Sequence, residues 1–224
     1  MADLSTYAAG AMNRPRIALG ALLAFVVLTV LVQVGATASL DRAANDAARA
    51  VAGPVGDYVA SAITLLGRID IAFAIAAIAI VVLLVRRQAL AIVPAYLPFA
   101  YVVGEYLKTV IGRMRPPAGL GQDLHVLPQI LPKASETLSY PSGHALLAAF
   151  LAVAIGAAAP RSRPLLWALA IGVALSRVYL AKHWLTDVAA GTLLGVAIAE
   201  LAILLVTWAA ARWRAARAAR LYAP

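Results

Sequence analysis

The 224-residue sequence predicts an all-α integral membrane protein with six transmembrane helices in a single domain, residues 1–224. Hydrophobic residues make up 63% of the chain and charged residues 13%, and the mean hydropathy is +0.87. This composition excludes a water-soluble domain. Long apolar runs alternate with polar segments, and six spans of about 20 residues leave about 100 residues for loops and tails. The chain has no cysteine, which excludes disulfides, thiolate zinc sites and cysteine nucleophiles.

The first span is predicted at residues 17–34, an apolar run that follows Arg14 and Arg16. A cleaved signal peptide is the alternative, because the small residues at 36–38 resemble a cleavage site. The run is longer than a usual signal core and further apolar runs follow, so a retained span is favoured. The other five spans are predicted at residues 71–85, 89–107, 145–159, 165–181 and 188–209.

Residues 37–58 form a polar break between the first two spans. Charged residues alternate there with alanines and valines at spacings that suit a short helix lying at the membrane interface. We interpret this segment as a connector rather than as part of a functional site.

The basic residues indicate the orientation of the spans. Ten of the nineteen Lys and Arg residues lie in the two tails and in short clusters at residues 86–87 and 161–163, where Asp3 is the only acid. By the positive-inside rule this side is cytoplasmic, so both termini are expected inside a multi-pass protein of the cell (inner) membrane. The formal charge of +9 could also indicate nucleic-acid binding. Clusters directly at span ends are explained by topology, however, so no nucleic-acid partner is expected.

Three polar segments fall at the opposite, outer ends of the spans, where cations should be depleted. In the first, Lys108 and Arg115 are separated by six residues, and Pro116 stops the helix after them. Two cations so placed can hold an anion from two directions, although long basic side chains also reach out to lipid head groups. Arg113 and Lys182, which also lie at outer span ends, are expected to steer anionic head groups toward this side.

The second segment is Tyr140-Pro-Ser-Gly-His144, at the start of the fourth span. Ser142 is a natural helix N-cap, and Gly143 allows a ligand to approach the backbone closely. The unpaired N–H groups of a helix N-terminus favour an oxyanion, and His144 adds a group that exchanges a proton near neutral pH. An ordinary capped helix start is the alternative.

The third segment begins with Ser176-Arg177 and continues to His183 and Asp187. Because His183 and Asp187 are four residues apart, they share one face if the segment is helical. A carboxylate in that position can orient the imidazole and leave its other nitrogen as a nucleophile or base.

Together the three segments read Lys-x6-Arg-Pro, Pro-Ser-Gly-His and Ser-Arg-x5-His-x3-Asp, in that order. This pattern, with the six-span layout, resembles the type 2 phosphatidic acid phosphatase (PAP2) superfamily, which also includes glucose-6-phosphatases and vanadium haloperoxidases. The resemblance implies a PAP2-type helical bundle, with His183 as the nucleophile, Asp187 as its orienting partner and His144 as the acid for the leaving group. It implies phosphate binding by a second set of residues: Lys108, Arg115, Ser142, Gly143 and Arg177.

No metal and no cofactor are expected, because three cations and a helix N-terminus can themselves counter the charge on a phosphoryl group. The motifs also lack a neighbouring carboxylate pair for Mg²⁺, since Asp123 and Glu136 lie apart in a loop. Glu105 is expected to pair with a nearby cation. Glu200, within the sixth span, needs a partner. His125, in the same loop as Asp123, receives no role.

The expected function is hydrolysis of a lipid phosphate at the outer membrane face through a phosphohistidine intermediate. A polyprenyl (undecaprenyl) diphosphate of cell-envelope synthesis is the leading substrate, with phosphatidic acid, phosphatidylglycerol phosphate and lipid A phosphates as alternatives. A lipid phosphotransferase stays open if a hydroxyl acceptor replaces water. From another class, an anionic-lipid transporter would also carry outer cations, whereas a haloperoxidase is disfavoured because those relatives are soluble. No oligomeric state is predicted.

Overall fold

The computed structural model describes residues 13–117 and 137–221, and within them the chain forms eight α-helices. The helices are α1 Arg14–Gln33, α2 Ala38–Ala50, α3 Pro54–Thr64, α4 Ile69–Val85, α5 Leu97–Ile111, α6 Gly143–Ala158, α7 Arg163–Tyr179 and α8 Leu185–Leu221. The six predicted apolar runs fall on α1 and on α4 to α8, and the polar break falls on α2 and the start of α3. The prediction of an all-α fold is confirmed for these residues.

Two of these helices are long and apolar enough to cross a membrane, α1 and residues Leu185–Ala218 of α8. A third crossing is possible by length and composition if Pro54–Gly67 and Ile69–Val85, which meet at an angle of 53°, form one bent span. Helices α5, α6 and α7 have 15 to 17 residues, fewer than the roughly 20 that a straight crossing needs. The described structure therefore identifies two or three spanning helices rather than the six predicted.

The helix in the predicted 89–107 span begins later than the apolar run because of two prolines. Pro94 lies in a 3₁₀ turn at Val93–Tyr96, and Pro98 lies in the first turn of α5. Proline has no backbone N–H and is tolerated only at the start of a helix, so α5 starts at Leu97 instead of running through. Gly112 ends α5 with φ +68°, and its N–H donates to the Lys108 carbonyl at 2.9 Å.

Helix α6 lies at the centre of the protein and buries twelve of its sixteen residues. It packs against α4, α5, α7 and α8. The backbone of α6 lies directly against the backbone of α8. A β-carbon at Gly191 would overlap the Ser142 carbonyl oxygen, and one at Gly195 would overlap the Leu146 carbonyl oxygen. Glycines four residues apart allow this close approach between membrane helices. As a result, the start of α6 lies against the first turn of α8.

The carboxylate of Glu200 is paired across the bundle, as the sequence requires. Arg14 Nη1 lies 2.7 Å from Glu200 Oε2, and this ion pair joins the start of α1 to the middle of α8. Helices α1 and α8 pack along each other, while Leu19, Leu23 and Val27 of α1 remain exposed on its outer face. An exposed apolar face is expected on a helix that meets lipid.

Candidate active site

His183 and Asp187 are brought together by the turn that leads into α8. His183 precedes the helix, which starts at Leu185, so the pair does not share one helix as the spacing suggested. His183 Nδ1 still lies 3.4 Å from Asp187 Oδ2, and both side chains are buried. That distance exceeds the usual length of a hydrogen bond, but it is close enough for an electrostatic interaction between the imidazole and the carboxylate. Nδ1 therefore faces Asp187, and it has no hydrogen-bond partner within the described part of the chain.

The position of Asp187 follows from helix capping. Its Oδ2 accepts a hydrogen bond at 2.9 Å from the backbone N–H of Trp184, the residue just before α8. This is the reciprocal half of a capping box, in which the third helical residue reaches back to the N-cap. Its Oδ1 accepts a hydrogen bond at 2.7 Å from Arg113 Nη1. Both carboxylate oxygens are therefore held in place.

The second motif lies directly beside this pair, because the Ser142 N–H donates to the Asp187 carbonyl at 2.9 Å. Ser142 occupies the N-cap of α6 with extended backbone, as predicted, but its hydroxyl makes no capping bond. The buried Ser142 Oγ has no hydrogen-bond partner within the described part of the chain. A buried hydroxyl next to the unpaired amides of a helix N-terminus is suited to an anion.

His144 lies on the first turn of α6, and the junction between α3 and α4 packs against it. A β-carbon at Gly67 would lie 2.9 Å from His144 Cβ and 3.1 Å from its Cα. Only glycine therefore fits at this point of the junction. The sequence analysis did not identify this contact, since residue 67 belongs to another helix pair and carries no chemical group.

Three predicted cations surround His183. Burial lowers the pKa of His183 well below its usual value, and the positive charges of Arg177, Arg115 and Lys108 lower that pKa further. His183 lies in the turn between α7 and α8, outside the helices. Its neutral form is therefore favoured, and three cations act on one imidazole. The structure thus brings together charges from two segments that are distant in sequence, Lys108 and Arg115 from the first and Arg177 from the third.

Each of these cations is held by a separate contact. Lys108 is buried in the last turn of α5, pairs with Glu105 as expected, and its Nζ lies 3.6 Å from the point where a β-carbon of Gly143 would stand. Arg177 Nη1 donates to Thr64 Oγ1 of α3 at 3.1 Å. These contacts direct the two cations toward the N-terminus of α6 and the α3–α4 junction.

Arg115 is held by backbone carbonyl groups. It donates to the Leu138 carbonyl from Nε and to the Lys182 carbonyl from Nη1, each at 3.3 Å. An isolated antiparallel bridge between Met114 and Leu138 joins the first motif to the segment that leads into the second. Arg115 thereby reaches the turn that carries His183.

Arg113 has a different position from the one expected. Instead of extending outward to steer head groups, it donates to Asp187, to Thr186 Oγ1 at 2.7 Å and to Asp41 Oδ2 at 2.6 Å. Its side chain is only 18% exposed. Asp41 belongs to α2, so the interpretation of residues 37–58 as a connector outside the site was wrong. The buried Asp41 and Asn45, one helical turn apart, are the polar face that could have indicated this.

No group of three metal-binding side chains occurs among residues 13–117 and 137–221. Asp123, His125 and Glu136, which the sequence analysis assigned to a loop, lie outside the described residues. In the site that is described, an imidazole–carboxylate pair lies with three cations, a buried hydroxyl and the N-terminus of α6, and His144 belongs to the first turn of that helix. Such a site can bind a phosphoryl group and attack it with nitrogen.

The chain is similar in sequence and in structure to known proteins. Residues 88–211, more than half of the chain, match the PAP2 superfamily. Over 105 residues the chain is 38% identical to a protein of Sulfolobus acidocaldarius named undecaprenyl-diphosphatase, a match that covers 46% of this chain and 48% of the relative. The chain thus spans about half the length of that relative.

The fold is similar to the crystal structure of a transmembrane PAP2 type phosphatidylglycerolphosphate phosphatase from Bacillus subtilis. The TM-score is 0.69 with 23% identity, and the match covers 84% of this chain and 94% of that one. This likeness and the apolar helices identify a membrane protein with the PAP2 fold. The match over residues 88–211 shows that the chain belongs to the PAP2 superfamily.

Proposed function

We propose that this protein is a metal-independent lipid phosphate phosphatase that forms a phosphohistidine intermediate at the outer membrane face. The observation that carries the proposal is the buried His183–Asp187 pair at 3.4 Å, on which three cations act. Membership of the PAP2 superfamily and the relatives named as phosphatases support it. A carboxylate on one ring nitrogen and positive charge around the other side suit nucleophilic attack on phosphorus.

In the first step, Nε2 of His183 forms a bond to phosphorus while the bond from phosphorus to the leaving oxygen breaks. His144 donates a proton to that oxygen. Asp187 stabilises the positive charge that develops on the His183 ring, and the surrounding cations stabilise the negative charge on the phosphoryl oxygens. These cations, with the N-terminus of α6, are the phosphate-binding set proposed: Lys108, Arg115, Ser142, Gly143 and Arg177.

In the second step, water attacks the phosphorus of the phosphohistidine and the bond to Nε2 breaks. His144 takes the proton from this water, which restores both histidines and releases inorganic phosphate. A lipid hydroxyl in place of water would instead yield a new phosphate ester. The phosphotransferase alternative therefore depends on which acceptor reaches His144.

A polyprenyl diphosphate is the substrate we favour, and the relative named undecaprenyl-diphosphatase supports this choice. The structural neighbour is named as a phosphatidylglycerolphosphate phosphatase, so phosphatidylglycerol phosphate is an alternative substrate. Phosphatidic acid and lipid A phosphates are further alternatives, because the proposed site recognises the phosphoryl group common to all four. An anionic-lipid transporter is the second class of function, since cations at outer helix ends would also bind a head group.

We propose a single domain with six spans in the inner membrane, with both termini in the cytoplasm and the site outside. The basic clusters at Arg86–Arg87 and at residues 161–163 support this orientation. The absence of cysteine permits a direct test by single-cysteine labelling. Ala218→Cys should react with a membrane-impermeant maleimide only after permeabilisation, whereas Met114→Cys, which is 60% exposed, should react in intact cells. The opposite pattern would contradict the orientation.

The activity is tested by phosphate release from the purified, detergent-solubilised chain in EDTA. The substrates are undecaprenyl diphosphate, phosphatidic acid, phosphatidylglycerol phosphate and lipid A. We expect turnover that His183→Ala abolishes and that His125→Ala, a histidine outside the motifs, retains. Loss of turnover on addition of EDTA would contradict a metal-independent site. Lipid binding without turnover in the unmodified protein would favour the transporter.

A further inference from the structure

We infer that Asp41 and Arg113 are positioning residues that hold the carboxylate of Asp187 toward His183. The inference rests on the proposed function, since it concerns the group that orients the nucleophile. Neither residue belongs to the three motifs. The first comes from α2 and the second from the segment after α5, so they reach Asp187 from two directions.

Asp187 is held through both oxygens of its carboxylate. Oδ1 accepts from Arg113 at 2.7 Å and Oδ2 accepts from the Trp184 N–H at 2.9 Å, so the plane of the carboxylate is held at both ends. Only in this orientation does Oδ2 face His183 Nδ1, at 3.4 Å. If Arg113 were removed, the restraint that its guanidinium places on Oδ1 would be lost.

Arg113 is itself held by several contacts. Nη1 contacts both Asp187 and Thr186, while Nη2 lies 2.6 Å from Asp41 Oδ2. The guanidinium also lies over the Trp184 ring, 5.5 Å from its centroid. A planar guanidinium with donors fixed in a fork bridges two carboxylates in one geometry, which a flexible ammonium cannot reproduce.

Asp41 completes the arrangement from the far side. Its Oδ1 accepts from the Thr186 N–H at 2.9 Å, and its Oδ2 accepts from the Thr186 hydroxyl at 2.8 Å and from Thr37 Oγ1 at 3.2 Å. A buried carboxylate on the free amides of the first turn of α8 is favourable for a helix N-terminus. Asp41 therefore joins α2 to α8 and gives Arg113 a fixed partner.

The charges of the cluster support the same role. One guanidinium is shared by two buried carboxylates, so the cluster of Asp41, Arg113 and Asp187 has a formal charge of −1 beside His183. That charge stabilises the positive imidazole formed when His183 is phosphorylated. Without Asp41, Arg113 would interact with Asp187 alone and would weaken the effect of that carboxylate on His183.

The test uses the purified full-length chain and the substrate with the highest turnover. Asp41→Asn and Arg113→Gln should each lower kcat about 10- to 100-fold, as expected for a misplacement of a reacting group by up to about 1 Å, while KM changes less than about twofold. Inhibition by inorganic phosphate should keep its Ki, because the phosphate-binding cations are intact. The double variant should lose little more than either single variant, because both act through one carboxylate. Arg113→Lys, which retains a cation, should recover part of kcat.

Two substitutions on exposed residues of α2 serve as matched controls, Asp46→Asn and Arg42→Gln, and each should keep kcat within about twofold. Unchanged kcat in Asp41→Asn and Arg113→Gln would overturn the inference, and so would a rise in KM or Ki without loss of kcat. Additive losses in the double variant would overturn it as well. These results are distinct from failure of the proposed function, which would appear as a lack of turnover in the unmodified chain or as turnover retained in His183→Ala.

Discussion

A single added methyl group at Gly67 should impair the proposed acid without touching any motif. The β-carbon of Gly67→Ala would lie 2.9 Å from His144 Cβ, 3.1 Å from His144 Cα and 2.7 Å from Val173 Cγ1. Carbon atoms in contact prefer a separation of about 3.5–4.0 Å, so His144 must move by about 0.6–1 Å. Helix α6 cannot retreat from the contact, because Gly191 and Gly195 already bring its backbone against α8.

A shift of that size is large for a group that transfers a proton. A displacement of about 1 Å in a reacting group can cost about 100-fold in rate, and we expect a comparable loss of kcat for Gly67→Ala. The loss should be greater for a phosphate monoester than for a diphosphate, because a leaving phosphate is a weaker base than an alkoxide and depends less on the acid. KM should change less than kcat, since the atoms nearest to the added methyl group belong to His144 and Val173 and not to the cations of the site.

The assay is steady-state phosphate release from phosphatidic acid and from undecaprenyl diphosphate by the same purified preparation. Gly20→Ala is the matched control, because a β-carbon at Gly20 of α1 meets nothing within 4 Å. It should keep its activity. Unchanged kcat in Gly67→Ala, or equal losses in both variants, would refute the argument that this contact positions His144.

Three further predictions follow from the same structure. Burial and the surrounding cations lower the pKa of His183, so its neutral form persists as the pH falls below the usual histidine value of about 6.5, and kcat/KM should decline only at lower pH. A pH profile with an acid limb at or above 6.5 that is assigned to His183 would contradict this. His144→Ala should lower turnover of monophosphate esters more than that of diphosphates, and equal losses would argue against its role as the leaving-group acid. Arg14→Gln should lower the free energy of unfolding by about 2 kcal/mol, because it leaves Glu200 unpaired. This loss is smaller than that expected for a fully buried ion pair, since the side chain of Arg14 is 14% exposed. Thermal unfolding in detergent measures this effect, which the exposed Arg16→Gln should lack.

The main features of the fold could be predicted from the sequence because hydrophobic runs are local signals. Every predicted run overlaps a helix of the described structure, although residues 89–96 of one run precede their helix. The start of the helix in the 89–107 run was predicted too early, because composition does not show that Pro94 and Pro98 interrupt this apolar segment. A short helix was expected in residues 37–58, where α2 lies, but the separate helix α3 that follows it in sequence was not expected. The α3–α4 junction and its close contact with α6 depend on tertiary packing, which periodicity cannot indicate.

The candidate site shows the same division. The contact between His183 and Asp187 was predicted from a shared helical face, but a turn before the helix brings the two residues together. Ser142 could be predicted because helix caps are local. The bond between Arg113 and Asp41 joins residues 72 positions apart, so no spacing indicates it. Arg113 illustrates the limit: its charge is visible in the sequence, but its buried partners are decided by the packing of α2 against α8.

The phosphohistidine is the central claim, and trapping it is the most direct test. The purified chain is mixed with a lipid substrate labelled in the terminal phosphoryl group, quenched in denaturant at alkaline pH, where phosphohistidine is stable, and digested for mass spectrometry. We expect the label on His183, and we expect no label and no turnover in His183→Ala. A label on another residue, or turnover that continues in His183→Ala, would contradict the proposed mechanism.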